Sequence, residues 1–517
     1  MRWLSTRKAK IEFEIKRLKN FIEIFTRNRR GMLGIIILAS FIILALAAPL
    51  ITPYSPITIP SYPTRPQVAS RYTMPVWFKY IPLYGEITEN VWPIIDPDFN
   101  SESSLERLDF TTSTIGQSGV SNPQFISDRG YTKDGCLEIS FNRITTENPF
   151  GLVTANLTKV FSYPYSTPPR QFYGLVAVWV ETSEDVPVTV TVILEKDGGE
   201  RRLNWWNQTF DTSETEWTLP DPTVSSFAEK TWLKEKFGDE WAYPAETMFS
   251  EPADYRYGIE IMFNDTQRPT GENVEATVYI DNFNIQTFGN AFGILGTDQY
   301  GRDILTQLLY GARISLLVGI LSAIFSTTIG LIVGLVAGYM GKLVDQILMR
   351  FTDMLLVIPD TPLYIVMMAV LSPSIWNLVI LISAIGWTGF ARVVRSQVLS
   401  IRERPYIEAA KAVGAGKFRI IIRHITPNVM SLVYVTLATA VPYAIVSEAW
   451  LSWLGLYDPT IMTWGRMLHD AQNSALGIRM WWWIVPPGIA IALISLSFIL
   501  LGYALDEVLN PKLRKRY

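Results

Sequence analysis

Long uncharged blocks stand near both ends of the chain, and short alternating runs lie between them. Residues 33–51 carry no charge, are preceded by Arg27, Arg29 and Arg30, and are enough to cross a bilayer as a helix. The arginines put the preceding segment on the cytoplasmic side, and Pro49, Pro53 and Pro56 close the span on the far side. Ahead of it, Ile11, Ile15, Leu18, Ile22 and Phe25 recur at 4-3-4-3 spacing, with Lys8, Lys10, Lys16, Arg17 and Lys19 around that stripe. This pattern predicts an interfacial amphipathic helix over 8–26, and no small-residue cleavage site follows the apolar run.

The second half repeats the long-block pattern. Residues 314–338 form a second predicted span, a third ends near Leu371, and a fourth covers 375–391. A fifth covers 429–449, and a sixth opens at Pro486-Pro487-Gly488 and ends near Leu505. Trp481, Trp482 and Trp483 precede the sixth as an interfacial anchor. From 392 to 423, eight basic residues oppose Glu403 and Glu408, a net +6 that marks this loop as cytoplasmic. Both termini then fall inside, and residues 54–290 outside.

That middle stretch changes character. Pro56, Pro60, Pro63 and Pro66 read as an extended strap, followed by strand-like runs at 137–141, 174–181, 186–194, 257–263 and 276–288. The run Val186-Pro-Val-Thr-Val-Thr-Val-Ile alternates as a half-buried strand should. With no long helical pattern between them, these runs predict a β-sandwich. The three Asn-x-Ser/Thr sequons, at Asn156, Asn207 and Asn264, all fall here, in agreement with an extracellular position. The predicted fold is thus an α-helical polytopic membrane protein of six transmembrane helices with a large extracellular β-sandwich insertion between helices 1 and 2. Its segments are a cytoplasmic amphipathic helix (1–32), helix 1 (33–52), an extracellular strap and start of the insert (53–130), the jelly-roll-like sandwich (131–290), a five-helix membrane domain (291–511) and a cytoplasmic tail (512–517).

Composition narrows the chemistry. A chain of 517 residues exceeds one ordinary domain, and 49% hydrophobic with 18% charged residues suits a membrane protein diluted by a soluble part. The lone Cys136 allows no intrachain disulfide, and His424 and His469 are too few and too far apart to suggest a metal site. No Gly-x-x-x-x-Gly-Lys-[Ser/Thr] occurs, so the chain has no ATP cradle of that kind; Gly414-Ala-Gly-Lys417-Phe lacks both spacing and hydroxyl. No nucleophile–base–carboxylate set stands out, and the basic loop lacks the interleaved aromatics of a nucleic-acid surface. The reading is a non-enzyme with no cofactor of its own.

Several positions stand out. Glu408-Ala409-Ala410 leads to Gly414, a helix and glycine turn within the 396–427 loop, which can serve as a docking knob. Gly330, Gly334 and Gly338 share one helical face and allow a close helix approach. Asp360, in Pro359-Asp360-Thr361-Pro362, is a carboxylate within an apolar span at a proline kink. It either faces water or a partner along a translocation path, or is paired within the bundle. Asp298, Arg302 and Asp303 surround a glycine turn before the second span, as an outer polar clasp or, alternatively, a solute contact. Trp205 and Trp206 can stack on a sugar, although paired tryptophans in a sandwich more often belong to its core.

Four motifs carry a family resemblance. Glu408-Ala-Ala-x-x-x-Gly414 resembles the coupling loop of ABC-importer permeases, and Gly296-Thr-Asp-Gln-Tyr-Gly-Arg-Asp303 the signature before the second helix of dipeptide, oligopeptide and nickel permeases. Glu448-Ala-Trp-Leu-Ser-Trp-Leu-Gly-Leu resembles the family's outer re-entrant region. The closing frame returns as Leu501-Gly-Tyr-Ala-Leu-Asp-Glu-Val-Leu-Asn-Pro511, with several charges altered. Within the insert, Val278-Tyr-Ile-Asp-Asn-Phe-Asn-Ile resembles the last strands of carbohydrate-binding-module-like jelly rolls. The resemblance implies a permease subunit that forms half of a path for di- or oligopeptides or oligosaccharides. It also implies a second homologous permease in a heterodimer, two cytoplasmic ATPase subunits that use ATP and Mg, an extracytoplasmic solute-binding protein, and residence in the cell membrane. Asp360 departs from the uncharged residue usual in the family. A membrane-anchored surface carbohydrate-binding protein is the alternative, although six spans and a coupling loop exceed what an anchor needs.

Overall fold

The computed structural model describes residues 25–509 apart from 60–67, 95, 116–118, 132–134, 145–151, 183–185, 197–198, 200, 222–223, 227–228, 265–272 and 475. Most of the predicted amphipathic helix, Pro60, Pro63, Pro66 and the basic tail lie outside the described residues. The chain divides into two compact units: one from Met1–Thr58 and Arg302–Tyr517, the other from Ile59–Gly301. The division falls at 301, so Gly296–Gly301 goes with the inserted unit.

The first unit is helical. Helix α1 (Arg29–Ile51) starts at Asn28, whose side chain accepts from the Arg30 and Gly31 amides at 3.0 and 3.1 Å. Helix α2 (Ile304–Met340) runs for 37 residues and ends where Gly341 takes a φ of +62°. Next come α3 (Lys342–Val357) and α4 (Asp360–Leu371), bent 88° from each other. A single kinked span was expected here. The chain breaks instead, because a residue before proline is driven out of the helical region, and Ile358 before Pro359 is extended.

Helix α5 (Ile375–Gly386) passes into α6 (Thr388–Arg402). The helical path thus exceeds the predicted end at 391, because α6 buries Phe390, Ala391, Val394, Val398 and Ile401 on one face and turns its charges away. One of those charges, Arg395, holds both carboxylate oxygens of Asp345 on α3, at 2.5 and 2.7 Å. The short α7 (Pro405–Ala412) and α8 (Lys417–Ile420) follow, and a π turn over Ile421–Ile425 feeds α9 (Thr426–Trp453). Finally, α10 (Trp464–Asn473) is capped by Thr463, and α11 (Trp481–Leu509) completes the unit. Among the described residues, five helices are long and apolar enough to cross a membrane, or six if the bent pair counts as one span.

Helix α2 is central, packed on α1, α5, α6 and α9, while α11 lies against α1 and α9. Trp464 keys α10 into α2: it is fully buried and its Nε1 donates to the Leu308 carbonyl at 3.0 Å.

Among its described residues, the second unit holds two five-stranded antiparallel sheets. They use β1 (Asp109–Ile115), β2 (Gln124–Ile126), β3 (Cys136–Ile144), β4 (Leu152–Tyr163), β5 (Gln171–Thr182), β6 (Val188–Lys196), β7 (Arg202–Phe210), β8 (Val224–Ser225), β9 (Ala253–Asn264) and β10 (Asn273–Phe288). The strand orders are β1-β4-β9-β6-β7 and β2-β3-β10-β5-β8. Alternate residues of both sheets enter one core: Val153, Ala155 and Leu157 with Ile259, Ile261 and Phe263 from the first, Leu137, Ile139 and Phe141 with Val176, Val178 and Val180 from the second. Strands begin at Asp109, within the 53–130 segment read from sequence as the strap and the start of the insert. Trp205 and Trp206 are both in the core, Trp205 with its ring centroid 4.4 Å from that of Trp232, so neither offers a face to a sugar. Cys136 is also fully buried, and burial pushes its thiol up to about 12.

Candidate functional site

Asp360 opens α4 directly after the helix break. One carboxylate oxygen, Oδ1, accepts from the Thr361 amide at 2.8 Å, and the other, Oδ2, accepts from the Tyr443 hydroxyl of α9. Thus Asp360 does have a partner within the bundle, but a neutral one. No lysine or arginine is paired with it among the described residues. Asp360 and Tyr443 together line a cavity of about 620 Å³. Its other polar wall positions are hydroxyl side chains, Ser326, Thr388, Thr436 and Thr439, and the remainder is apolar. The same pair borders a second cavity of about 390 Å³, reached also by the buried Tyr364. A half-exposed carboxylate therefore stands where two hollows of the helical unit share a wall.

The segment around 408 is built as a protrusion on an anchored base. Pro405 occupies the first turn of α7, where its fixed φ suits helix initiation and its missing N–H costs nothing. Ile407 is fully buried with Ile401, Ile420, Ile425 and Val429 against Leu335, Val394 and Val398. Gly414, at φ +85°, ends the helix with its amide on the Lys411 carbonyl at 2.9 Å and the Ala415 amide on that of Ala410 at 3.0 Å. Glu408 and Ala409 are exposed and Ala410 half-buried, and beside them Val413 and Phe418 are 89% and 75% exposed. Two bare apolar side chains among Lys411, Lys417 and Arg419 make a surface suited to a partner.

The glycine stripe has a definite neighbour. A β-carbon on Gly330 would lie 2.8 Å from the Trp387 carbonyl oxygen, on Gly334 2.6 Å from that of Ala391, and on Gly338 2.7 Å from Val398 Cβ. The stripe is therefore the seat of α6.

The three positions of the outer motif are distributed. Asp298, buried, belongs to the inserted unit, where its Oδ1 accepts from the Tyr300 amide at 2.8 Å and its carbonyl from Tyr72 at 2.9 Å. Asp303 caps α2: its Oδ2 accepts from the Thr306 amide at 2.7 Å and the Thr306 hydroxyl at 2.6 Å. Arg302 forms a buried ion pair with Asp470 of α10 at 3.2 Å and donates to the Ile57 carbonyl. Sequence reading passed over Asp470, Tyr443 and Tyr364. Asp470 sits among other polar residues of a short amphipathic helix, and a tyrosine within an apolar run gives no signal of what its hydroxyl meets. Among the described residues, no His/Cys/Asp/Glu group is arranged to hold a metal ion.

Residues 330–515 match the family profile described as binding-protein-dependent transport system inner membrane component, and residues 16–67 that of the N-terminal TM domain of oligopeptide transport permease C. The dipeptide transport system permease protein DppC of Bacillus subtilis (strain 168) is 40% identical over 221 residues, 43% of this chain and 69% of that protein. The oligopeptide transport system permease protein OppC of the same organism is 38% identical over 221 residues, again 43% of this chain and 72% of that protein. Among solved structures, a MetNI methionine ABC transporter chain covers 38% of this chain and 96% of its own length, at 17% identity and a TM-score of 0.30. A family 11 carbohydrate-binding module of Clostridium thermocellum covers 38% of this chain and 95% of its own length, at 13% identity and a TM-score of 0.19. Both scores are too low to support a shared function. The extent and identity of the permease matches are not: this chain belongs to the binding-protein-dependent transport inner membrane components, among the dipeptide and oligopeptide permeases.

Proposed function

We propose that this chain is one of two homologous permease subunits of an ATP-driven importer that receives peptides from an extracytoplasmic binding protein. The observation that carries this reading is the 40% identity to a dipeptide permease over 69% of that relative's length. In this reading the helical unit supplies half of the path, and two ATPase subunits use ATP and Mg on the cytoplasmic side. The segment from Glu408 to Gly414 transmits their closure. Its support is physical: a short helix fixed at Ile407 moves as a rigid lever, and Val413 and Phe418 beside it have apolar surface to bury. The net +6 of the 392–423 stretch argues for the cytoplasmic side. The inserted unit then lies outside, where it docks or shields the binding protein at the outer mouth.

The test uses the purified complex in proteoliposomes. Glu408→Lys and Phe418→Asp should each lower the ATPase stimulation produced by loaded binding protein, and Phe418→Asp should also reduce recovery of the ATPase subunits with the permease. Removing one well-buried apolar anchor costs about 2 kcal/mol or more of binding, at least thirtyfold in affinity. Wild-type stimulation in both variants would refute the lever.

A further inference from the structure

We propose that Asp360 forms a binding station for a protonated side-chain amine of the cargo, so that this half of the path selects peptides with a cationic side chain. The inference rests on the peptide-permease reading and deepens it.

The argument starts from cost. A carboxylate at membrane depth is unfavourable by about 2.5 kcal/mol or more even on insertion scales, and such groups persist where they pair or face a water-filled hollow. Asp360 is held in place by neutral donors alone, the Thr361 amide and hydroxyl and the Tyr443 hydroxyl. These fix its orientation and leave its charge uncompensated by any described lysine or arginine. The cavity it lines offers otherwise only hydroxyls and apolar groups, a wall of low polarizability that focuses the field of one charge. The species that satisfies such a site is a cation with several donors. A primary ammonium has three: it can give one to Asp360 while the tyrosine at 443 presents either its oxygen or its ring face. A volume of about 620 Å³ suits a guest of a few residues. A neutral saccharide would find an acceptor here but nothing to match the charge.

The experiment measures uptake by proteoliposomes holding the whole importer, with saturating binding protein, using Ala-Lys-Ala, Ala-Glu-Ala and cellotriose as probes. The binding protein's own preference cancels when each variant is compared with wild type. The ratio of the two peptide rates within one preparation does not depend on how much complex has folded. Asp360→Asn should lower the Ala-Lys-Ala to Ala-Glu-Ala ratio about tenfold, the scale of a lost charge-assisted hydrogen bond. Asp360→Glu, which keeps the charge, should retain most of the wild-type ratio. A ratio unchanged by Asp360→Asn, with both peptides imported, overturns the station and leaves the peptide reading standing. Import of cellotriose and of neither peptide by the wild type overturns the peptide reading itself.

Discussion

Adding a single methyl group at Gly334 is the sharpest perturbation of the helical core. The new β-carbon would stand 2.6 Å from the Ala391 carbonyl oxygen and 2.6 Å from Val394 Cβ. Non-bonded carbon contacts settle at about 3.5–4.0 Å, so α2 and α6 would have to part by about 1 Å. Backbone on the opposing side cannot swing away as a long side chain could, so the strain enters the helix pair itself. Overpacking of this kind costs about 1–3 kcal/mol. The control is Gly389→Ala on α6, where an added β-carbon has nothing within 4 Å and helix propensity favours alanine by up to about 1 kcal/mol. Thermal unfolding of the purified complex in detergent, followed by tryptophan fluorescence, should show Gly334→Ala melting below wild type and Gly389→Ala at or above it. A shift of about 2–4 °C per kcal/mol is expected for a unit of this size. The pair Gly330→Ala and Gly334→Ala should cost less together than the sum of the two, because one parting of the helices accommodates both methyls. If Gly334→Ala melts with Gly389→Ala, α6 does not sit on the glycine stripe and the packing argument fails.

Two further outcomes follow from buried groups. Cys136 should resist iodoacetamide at pH 8 in the folded protein and react once denatured, because its thiol is buried and pushed up to about 12, which keeps the reactive thiolate scarce; labelling of native protein at pH 8 would contradict this. Replacing Asp470 by leucine should destabilise the helical unit by about 3–5 kcal/mol, since it takes one partner from a buried ion pair. The double change Arg302→Met with Asp470→Leu should melt higher than Asp470→Leu alone, and a double variant that melts lower would show that the pair is not what holds α10 to the start of α2.

Much of the architecture was legible because it is written locally. A bilayer span needs only length and missing charge, and its flanking arginines need no tertiary context to suggest orientation, so the apolar helices can be read from one window at a time. Gly414 marked the end of α7 because only the backbone at that residue had to turn. Strands with strict alternation, such as β6, were equally plain. Those whose outward positions carry amides or charge in place of threonine were not: β4 carries Asn156 and Lys159, β7 carries Asn204 and Asn207, and neither stood out against a loop. The end of α6 was misplaced for a related reason, since amphipathic helix beyond the apolar block looks like a charged loop until its buried stripe meets a core.

Pairings across the chain came from the tertiary structure alone. The stripe at Gly330, Gly334 and Gly338 announced that something approaches closely, and only packing identified it as α6. Arg302 meets Asp470 from 168 residues away, and Asp360 meets Tyr443 from 83, separations at which no periodicity links the partners. The same holds for Trp205 and Trp206, whose rings could have faced outward until Trp232 and the second sheet closed over them. Sequence by itself determined which segments are apolar, which are charged, where the backbone turns and which family the motifs resemble, because each is a property of neighbours along the chain. The tertiary structure decided which charges are paired, which glycines are seats and which carboxylate is left facing a cavity, because burial and contact depend on atoms that folding alone brings together.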